Sequence, residues 1–226
     1  MFEERRIKTG HALLALALVV VGVAIGWATD GGGSRGGADS DASPGAGPTR
    51  TVDGIPVGYE RSREGAVAAA LTYGRVVGEP AFVTDRRRRG RILARIATDE
   101  FARRYERAGA GALAQLATTP LYRGLSQGER AIWTGAPLGY RVERYSEDEA
   151  VVFTWGVAVL GSTAANPQAV FSSSEGLLRW DGGDWKLAGG TDRVGPIPAL
   201  PEGARPSSGS DFTGRLDRLQ GLRYVP

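Results

Sequence analysis

The chain has 226 residues, a net charge of +3, no cysteine and a single histidine, His11. The lack of cysteine excludes disulfides, thiol nucleophiles and thiolate metal sites. Because His11 lies near the N-terminus, the chain beyond it cannot supply a Ser-His-Asp triad or a histidine-based zinc site. The sequence therefore gives no catalytic, cofactor-binding or metal-binding residue to assign, although carboxylate and tyrosine chemistry stays open.

Residues 12–28 form an uninterrupted apolar run, with Arg5, Arg6 and Lys8 before it and Asp30 after it. A helix of about 17 to 25 apolar residues spans a bilayer. The run predicts a single-pass anchor in the cell membrane, and the preceding basic residues predict that residues 1–11 stay in the cytoplasm. A cleaved signal peptide is the alternative, but its apolar region is usually shorter.

Residues 29–51 are mostly Gly, Ser, Ala, Asp and Pro. Such a segment carries too little apolar surface to order itself, so it predicts a flexible linker. As a coil it would reach roughly 25 Å, which would hold the following domain near the membrane without fixing its orientation.

Three helices are predicted next. Ser62 offers an N-cap for the first, which should end at Gly78. The second is predicted over residues 85–108, where apolar residues recur at helical spacing before two glycines interrupt them. The third is a short helix over residues 112–117.

The apolar period then changes from helical to alternating, which predicts four strands. They cover residues 139–145, 151–160, 169–180 and 185–187. Because both faces of the second strand are mostly apolar, it should be central in its sheet. Asp181-Gly182-Gly183-Asp184 predicts a tight turn, and Trp180 and Trp185 on either side could pair across it.

This order, helices followed by an antiparallel sheet, predicts an α+β domain over residues 52–200. Residues 201–226 form a proline-rich tail in which Phe212, Leu216 and Leu219 suggest a short amphipathic helix.

The densest charge run is Arg86-Arg87-Arg88-Arg89-Gly90-Arg91. It could attract the phosphates of nucleic acid or anionic lipid. The alternative, favoured because no aromatic residues interleave to stack bases, is the solvated first turn of a helix. Direct binding of nucleic acid is therefore expected to be weak or absent.

Two carboxylate clusters, Asp99-Glu100 and Glu147-Asp148-Glu149, could serve acid-base chemistry only if they were partly buried. The first is expected to pair with arginines along its helix. Both clusters are predicted to be surface residues. The glycines of residues 31–33 lack the strand and helix context of a phosphate loop.

Three stretches carry a family resemblance: GIPVGY at residues 54–59 with REGAVAAA at residues 63–70, WDGGDWKL at residues 180–187, and Gly195-Pro196 with Arg223-Tyr224. Together they resemble the single-span membrane proteins of conjugative elements in high-GC Gram-positive bacteria. Those proteins are in turn similar to TcpC-like and VirB-type components of conjugation machines.

The resemblance implies a nuclear transport factor 2-like domain outside the cytoplasm, with no catalytic residues and no cofactor. It implies a structural role in a conjugative, type IV secretion-like apparatus, with other channel subunits as partners. Self-association is expected on other grounds: the anchor raises the effective concentration of tethered copies in one membrane, and residues 212–219 of the tail would either reach a neighbour or fold back on their own domain. The alternative is a membrane-tethered enzyme or ligand-binding domain of the same fold. That alternative needs polar groups directed into a cavity, for which Tyr73, Tyr105 and Tyr140 are the candidates.

Overall fold

The computed structural model describes residues 46–199, 203 and 207–216. The elements in these residues run in the order β1 (Arg50–Val52), β2 (Ile55–Val57), α1 (Arg63–Val77), α2 (Pro80–Thr84), α3 (Arg86–Ile96), α4 (Asp99–Ala117), α5 (Pro120–Ser126), β3 (Ala131–Tyr145), β4 (Glu149–Ser162), β5 (Ala165–Asp181), β6 (Asp184–Val194) and α6 (Gly209–Leu216).

Strands β3 to β6 form one antiparallel sheet in chain order, and β1 and β2 form a separate small hairpin. Each predicted strand lies inside an observed one, and β4 is a central strand as predicted. The observed strands are longer. The first half of β3, which the sequence analysis missed, is rich in Gly, Pro and Thr, residues that give little strand signal.

The core lies on one side of this sheet. Ala150 and Val152 of β4, Leu178 of β5 and Trp185 of β6 pack into a buried cluster with α1, α3 and α4. Leu160, further along the same face of β4, packs against α5. This face is therefore the one that the helices α1 to α5 cover.

The first predicted helix is confirmed as α1. The Ser62 side chain accepts a hydrogen bond from the backbone N–H of Gly65 at 3.0 Å, as an N-cap should. Gly78 ends the helix, and Pro80 begins α2, which the sequence analysis did not predict.

The single helix predicted over residues 85–108 is wrong. The chain leaves helical geometry at Ala97, and Thr98 caps a new helix, α4. The backbone N–H of Thr98 donates to the carbonyl of Leu187 in β6 at 2.9 Å. The two glycines that were predicted to interrupt the helix do not end α4. This helix continues to Ala117 and includes the residues of the predicted third helix.

The predicted fold class is corrected as well. The class is α+β with a four-stranded antiparallel sheet, but a β hairpin precedes the helices and α6 follows the sheet, so the order of helices before strands does not hold. The nuclear transport factor 2-like assignment assumed helices followed by the sheet, and the observed order does not support it. Among the described residues, no helix combines the length and apolar character needed to cross a bilayer. The span predicted over residues 12–28 lies outside them.

Candidate functional site

The sheet has a second apolar face, opposite the one that the helices cover. We call it the outer face. On β4 it consists of every second residue, and their cross-strand partners on β5 extend it. Its apolar members are Val151, Phe153, Trp155, Val157 and Val159 of β4 with Phe171 and Leu177 of β5. Ser173 and Glu175 of β5, the partners of Trp155 and Phe153, place polar groups between them. All seven side chains are only partly buried, and none belongs to a core cluster among the described residues.

Aromatic contacts organise the outer face. The rings of Trp155 and Phe171 stack with centroids 6.0 Å apart. The guanidinium of Arg141, on the neighbouring strand β3, lies 4.7 Å from the centroid of the Phe153 ring. An arginine held over an aromatic ring is a common element of protein interfaces.

The chain itself covers one part of the outer face. After β6 it turns back, so that the indole N–H of Trp155 donates to the carbonyl of Pro196 at 3.1 Å and the Ser173 hydroxyl donates to the carbonyl of Gly195. The side chain of Ile197 is nevertheless 64% exposed. This crossing adds exposed apolar surface beside Trp155.

The sequence did carry a signal for this surface. Both faces of β4 are apolar, which the sequence analysis took as burial on both sides. The structure buries only the face of Ala150 and Val152 beneath helices. The continuous apolar run was thus a sign of a central strand and also of a surface available for contact.

The tryptophan hairpin is part of the fold. Trp180 and Trp185 are cross-strand partners with ring centroids 5.6 Å apart. Trp185 is fully buried, and its indole N–H donates to the carbonyl of Glu60 at 2.9 Å. Packing, rather than an exposed aromatic surface, is the role of this pair.

Asp184 joins the first two stretches of the family resemblance. Its buried carboxylate accepts hydrogen bonds from the backbone N–H groups of Gly58 at 2.7 Å, Tyr59 at 3.0 Å and Trp185 at 2.9 Å. The WDGGDWKL hairpin and the GIPVGY segment are therefore one structural junction, which fixes the entry of the chain into α1.

The arginine run is not uniformly solvated. Arg89 is buried, and its Nη1 donates to the carbonyls of Phe82 at 3.1 Å and Val83 at 3.2 Å. Its Nε lies 3.4 Å from a carboxylate oxygen of Glu106. The other arginines of the run are exposed, as the sequence analysis expected of the whole segment.

The carboxylate clusters are on the surface, as predicted. Glu100 lies 3.9 Å from Arg104. Asp148 pairs with Arg61, and Glu149 lies 3.5 Å from each of two flanking arginines on β3 and β5. These carboxylates are neutralised by arginines and do not converge on a common cavity.

The three tyrosines named as candidates do not meet. Tyr73 is buried, and its hydroxyl donates to the carbonyl of Trp185 at 3.0 Å. Tyr105 is buried against Phe82 and Phe101, and burial raises its pKa to about 12. Tyr140 lies on the edge strand β3 and is 51% exposed.

One titratable group was missed by the sequence analysis. Asp192 of β6 has a partly buried side chain whose Oδ1 has no hydrogen-bond partner in the described part of the chain. Burial raises the pKa of this carboxyl to about 6. It faces the same side of the sheet as the core, across from Ser174 of β5.

A small cleft lies between the β1–β2 hairpin and α3. Its volume is about 70 Å³, and Asp53, Glu79, Arg88 and Arg91 are among the residues that line it. Both of these carboxylates pair with arginines. Glu79 lies 3.3 Å from Arg88, and Asp53 lies 3.3 Å from Arg95.

Comparison with known proteins places the chain in a family. A family model described as a domain of unknown function, DUF8175, matches residues 34–204, which is most of the chain. No curated protein matches the chain.

Among solved structures, the intermembrane space region of the chloroplast protein ARC6 is similar over 60% of this chain and 96% of its own, at 14% identity and a TM-score of 0.37. A score this low carries no weight for fold or function.

Proposed function

The chain belongs to the DUF8175 family, a domain of unknown function, and we propose that it is a membrane-anchored scaffold subunit of a conjugative, type IV secretion-like DNA transfer apparatus. Its folded domain lies outside the cytoplasm and acts through protein–protein contacts. The observation that supports this proposal is the outer face, a largely apolar sheet surface that belongs to none of the core clusters in the described residues. The choice of apparatus comes from the sequence resemblance.

The chemistry of the outer face fits a protein partner. Contiguous apolar surface mixed with aromatic residues is typical of protein interfaces, where Trp and Arg often contribute most of the binding energy. Trp155, Phe171 and Phe153 with its stacked Arg141 supply that composition.

The edge of the sheet is less suited to contact. Pro137 lies in β3, the exposed edge strand, and the register with β4 shifts between Pro137 and Gly139. Proline and bulges block strand addition at an edge. A partner is therefore expected to dock on the outer face and not to extend the sheet at β3.

The rival function, a tethered enzyme or ligand binder, has less support. Tyr73 and Tyr105 are committed to packing and hydrogen bonding inside the core. The cleft beside α3 has the volume of a few water molecules, far below the several hundred Å³ of usual ligand pockets.

The test is a clean deletion of the gene in a conjugating strain, complemented with wild-type protein or with single variants. Val157→Lys places a charge at the centre of the outer face, beside Phe171 on β5. Ala114→Lys is the control, because Ala114 is exposed on α4, a helix that packs on the opposite side of the sheet.

We expect the deletion and Val157→Lys to abolish DNA transfer, and Ala114→Lys to restore it. Wild-type protein purified from membranes should carry other channel subunits, which Val157→Lys should lose while keeping its fold by circular dichroism. Normal transfer in the deletion strain would refute the proposed apparatus. Full complementation by Val157→Lys would refute the outer face as the contact surface.

A further inference from the structure

Helix α3 directs most of its arginines to solvent because one of them is fixed inside. Arg89 is held by the carbonyls of Phe82 and Val83 and by Glu106 of α4. Ile92, Leu93 and Ile96 continue that buried side. The arginines of the helix that stay exposed form what we call the basic face: Arg86, Arg87, Arg88, Arg91 and Arg95.

The basic face has more positive charge than the domain neutralises. Glu79 pairs with Arg88, and Asp53 pairs with Arg95. Within the described residues, Arg86, Arg87 and Arg91 make no ion pair. Placing cations in the first turn of a helix is mildly unfavourable, because the helix dipole is positive there. The one carboxylate at this end, Asp85, accepts a hydrogen bond from the Arg88 backbone N–H and caps the helix.

The basic face lies beside the β1–β2 hairpin, the first element of the described chain, which packs against α3. Asp53, between its two strands, pairs with Arg95, and Gly54 lines the cleft with Arg88 and Arg91. The hairpin turn therefore borders these arginines, while the chain before Arg50 runs at the other end of the hairpin, where the backbone N–H of Thr49 donates to the carbonyl of Gly58 at 3.2 Å.

These observations point to an occupant. We propose that the basic face docks on the anionic phospholipid headgroups of the membrane in which the chain is anchored. The inference rests on the proposed function, because it needs the predicted anchor at residues 12–28. A linker reaching roughly 25 Å keeps the domain within reach of the bilayer. Charges interact with the surface only within about 10 Å, so the tethered domain gains most when its densest group of exposed arginines faces the headgroups.

Lipid fits this surface better than nucleic acid does. Single strands are held by aromatic side chains between basic residues, whereas the basic face contains no aromatic residue. Headgroups need only accessible positive charge on a convex surface, which an exposed helix provides. Docking would orient the domain and turn the opposite end of the sheet, at the β4–β5 turn, away from the membrane.

The absence of cysteine allows a direct measurement on the full-length protein. Ala94→Cys, exposed on α3 one turn beyond Arg91, carries a donor dye. Ala164→Cys, exposed in the β4–β5 turn at the far end of the sheet, is the matched control. Each protein is inserted in nanodiscs with acceptor-labelled headgroups, made of phosphatidylcholine alone or with one third phosphatidylglycerol.

We expect strong energy transfer from position 94 only in the anionic discs, and weak transfer from position 164 in both. Replacing Arg86, Arg87 and Arg91 by Gln should remove the lipid dependence at position 94. Each arginine near an anionic surface contributes roughly fivefold to binding, so the ratio of docked to undocked domain should fall about 100-fold. Replacing Arg107, Arg123 and Arg193 by Gln, three exposed arginines elsewhere, should leave it unchanged.

Equal transfer from both positions, or transfer at position 94 that ignores lipid charge, would overturn the inference. A gel-shift series with duplex DNA tests nucleic acid as the alternative ligand. The inference would also be overturned if the triple Gln variant lost DNA binding while energy transfer at position 94 did not depend on lipid charge. Failure of the protein to insert in nanodiscs would refute the anchor and the proposed function. If the protein inserts but does not dock, and the deletion strain has lost conjugation, the lipid-docking inference is refuted and the proposed function is not.

Discussion

Asp184 carries more backbone hydrogen bonds than any neighbouring side chain in the junction between the hairpin and the entry to α1. Three N–H donors meet its two oxygens. In Asp184→Asn one oxygen becomes an amide that cannot accept, and the charge is lost. We expect a loss of about 2 kcal/mol in the free energy of unfolding.

The control for this variant is Asp181→Asn. Asp181 is the cross-strand partner of Asp184 in the same turn, but its side chain is exposed. Its replacement should change stability by less than about 0.5 kcal/mol. Urea unfolding of both purified full-length variants measures the difference, and equal stabilities would show that the three hydrogen bonds contribute little.

Asp192 gives the domain a pH dependence of a defined sign. Its pKa is raised from 3.8 to about 6 by burial, so the folded state binds more protons than the unfolded state between these values. Stability must then fall as pH rises from about 4 to about 6. At neutral pH the carboxylate is charged and its burial is a net cost.

Asp192→Asn should therefore stabilise the protein at pH 7 by on the order of 1 kcal/mol and reduce the slope between pH 4 and 6. Thermal unfolding of the variant and the wild type across this range is the measurement. Glu175→Gln, an exposed carboxylate on the adjacent strand, serves as the control. A variant that is less stable than wild type at pH 7 would contradict the assigned cost.

At the scale of elements, α1 offers a comparison of two glycines in one helix. A Cβ at Gly65 would collide with the carbonyl oxygen of Glu60, whereas Gly74 has open space around it. Alanine favours a helix interior by about 1 kcal/mol over glycine. Gly74→Ala should therefore stabilise by roughly that amount.

Gly65→Ala should destabilise despite the same gain in helix propensity, by about 1–3 kcal/mol. The Glu60 carbonyl cannot move freely, because it accepts the indole N–H of Trp185. Differential scanning of the two variants should give melting temperatures shifted in opposite directions. Stabilisation by both substitutions would mean that the start of α1 adapts and that the contact is unimportant.

Elements could be predicted from the sequence where their signals were local. Ser62 and Gly78 bound α1, and the Gly182-Gly183 turn, with both residues at positive φ, closes the hairpin of β5 and β6. The break at Ala97 escaped prediction because its cause is distant: Thr98 bonds to Leu187. The burial of Arg89 was not predicted for the same reason. A run of charged residues is expected to be solvated, and the acceptors that hold Arg89 lie in α2 and α4, which the local sequence does not reveal.

At the scale of the whole molecule, the candidate site was harder to foresee than the fold. Alternation along β4 indicated two apolar faces, but the number of faces that helices cover depends on where α1 to α5 pack. The helices pack on the face that carries Ala150, Val152 and Leu160. The other face, with Trp155 and Phe171, is the outer face. Only the three-dimensional structure shows which of the two faces of β4 the helices cover.

Assembly of the whole molecule should depend on the tether. Copies anchored in one membrane reach effective concentrations in the mM range, so a weak contact through the outer face becomes populated. A protease site inserted within residues 30–45 releases the domain without altering its described residues. Crosslinking in membranes before cleavage should give oligomers of wild type and of Ala114→Lys, but not of Val157→Lys. After cleavage and dilution all three should be monomeric. Oligomers that persist after release would mean a strong interface independent of the anchor, and their absence before cleavage would remove self-association from the role of this protein.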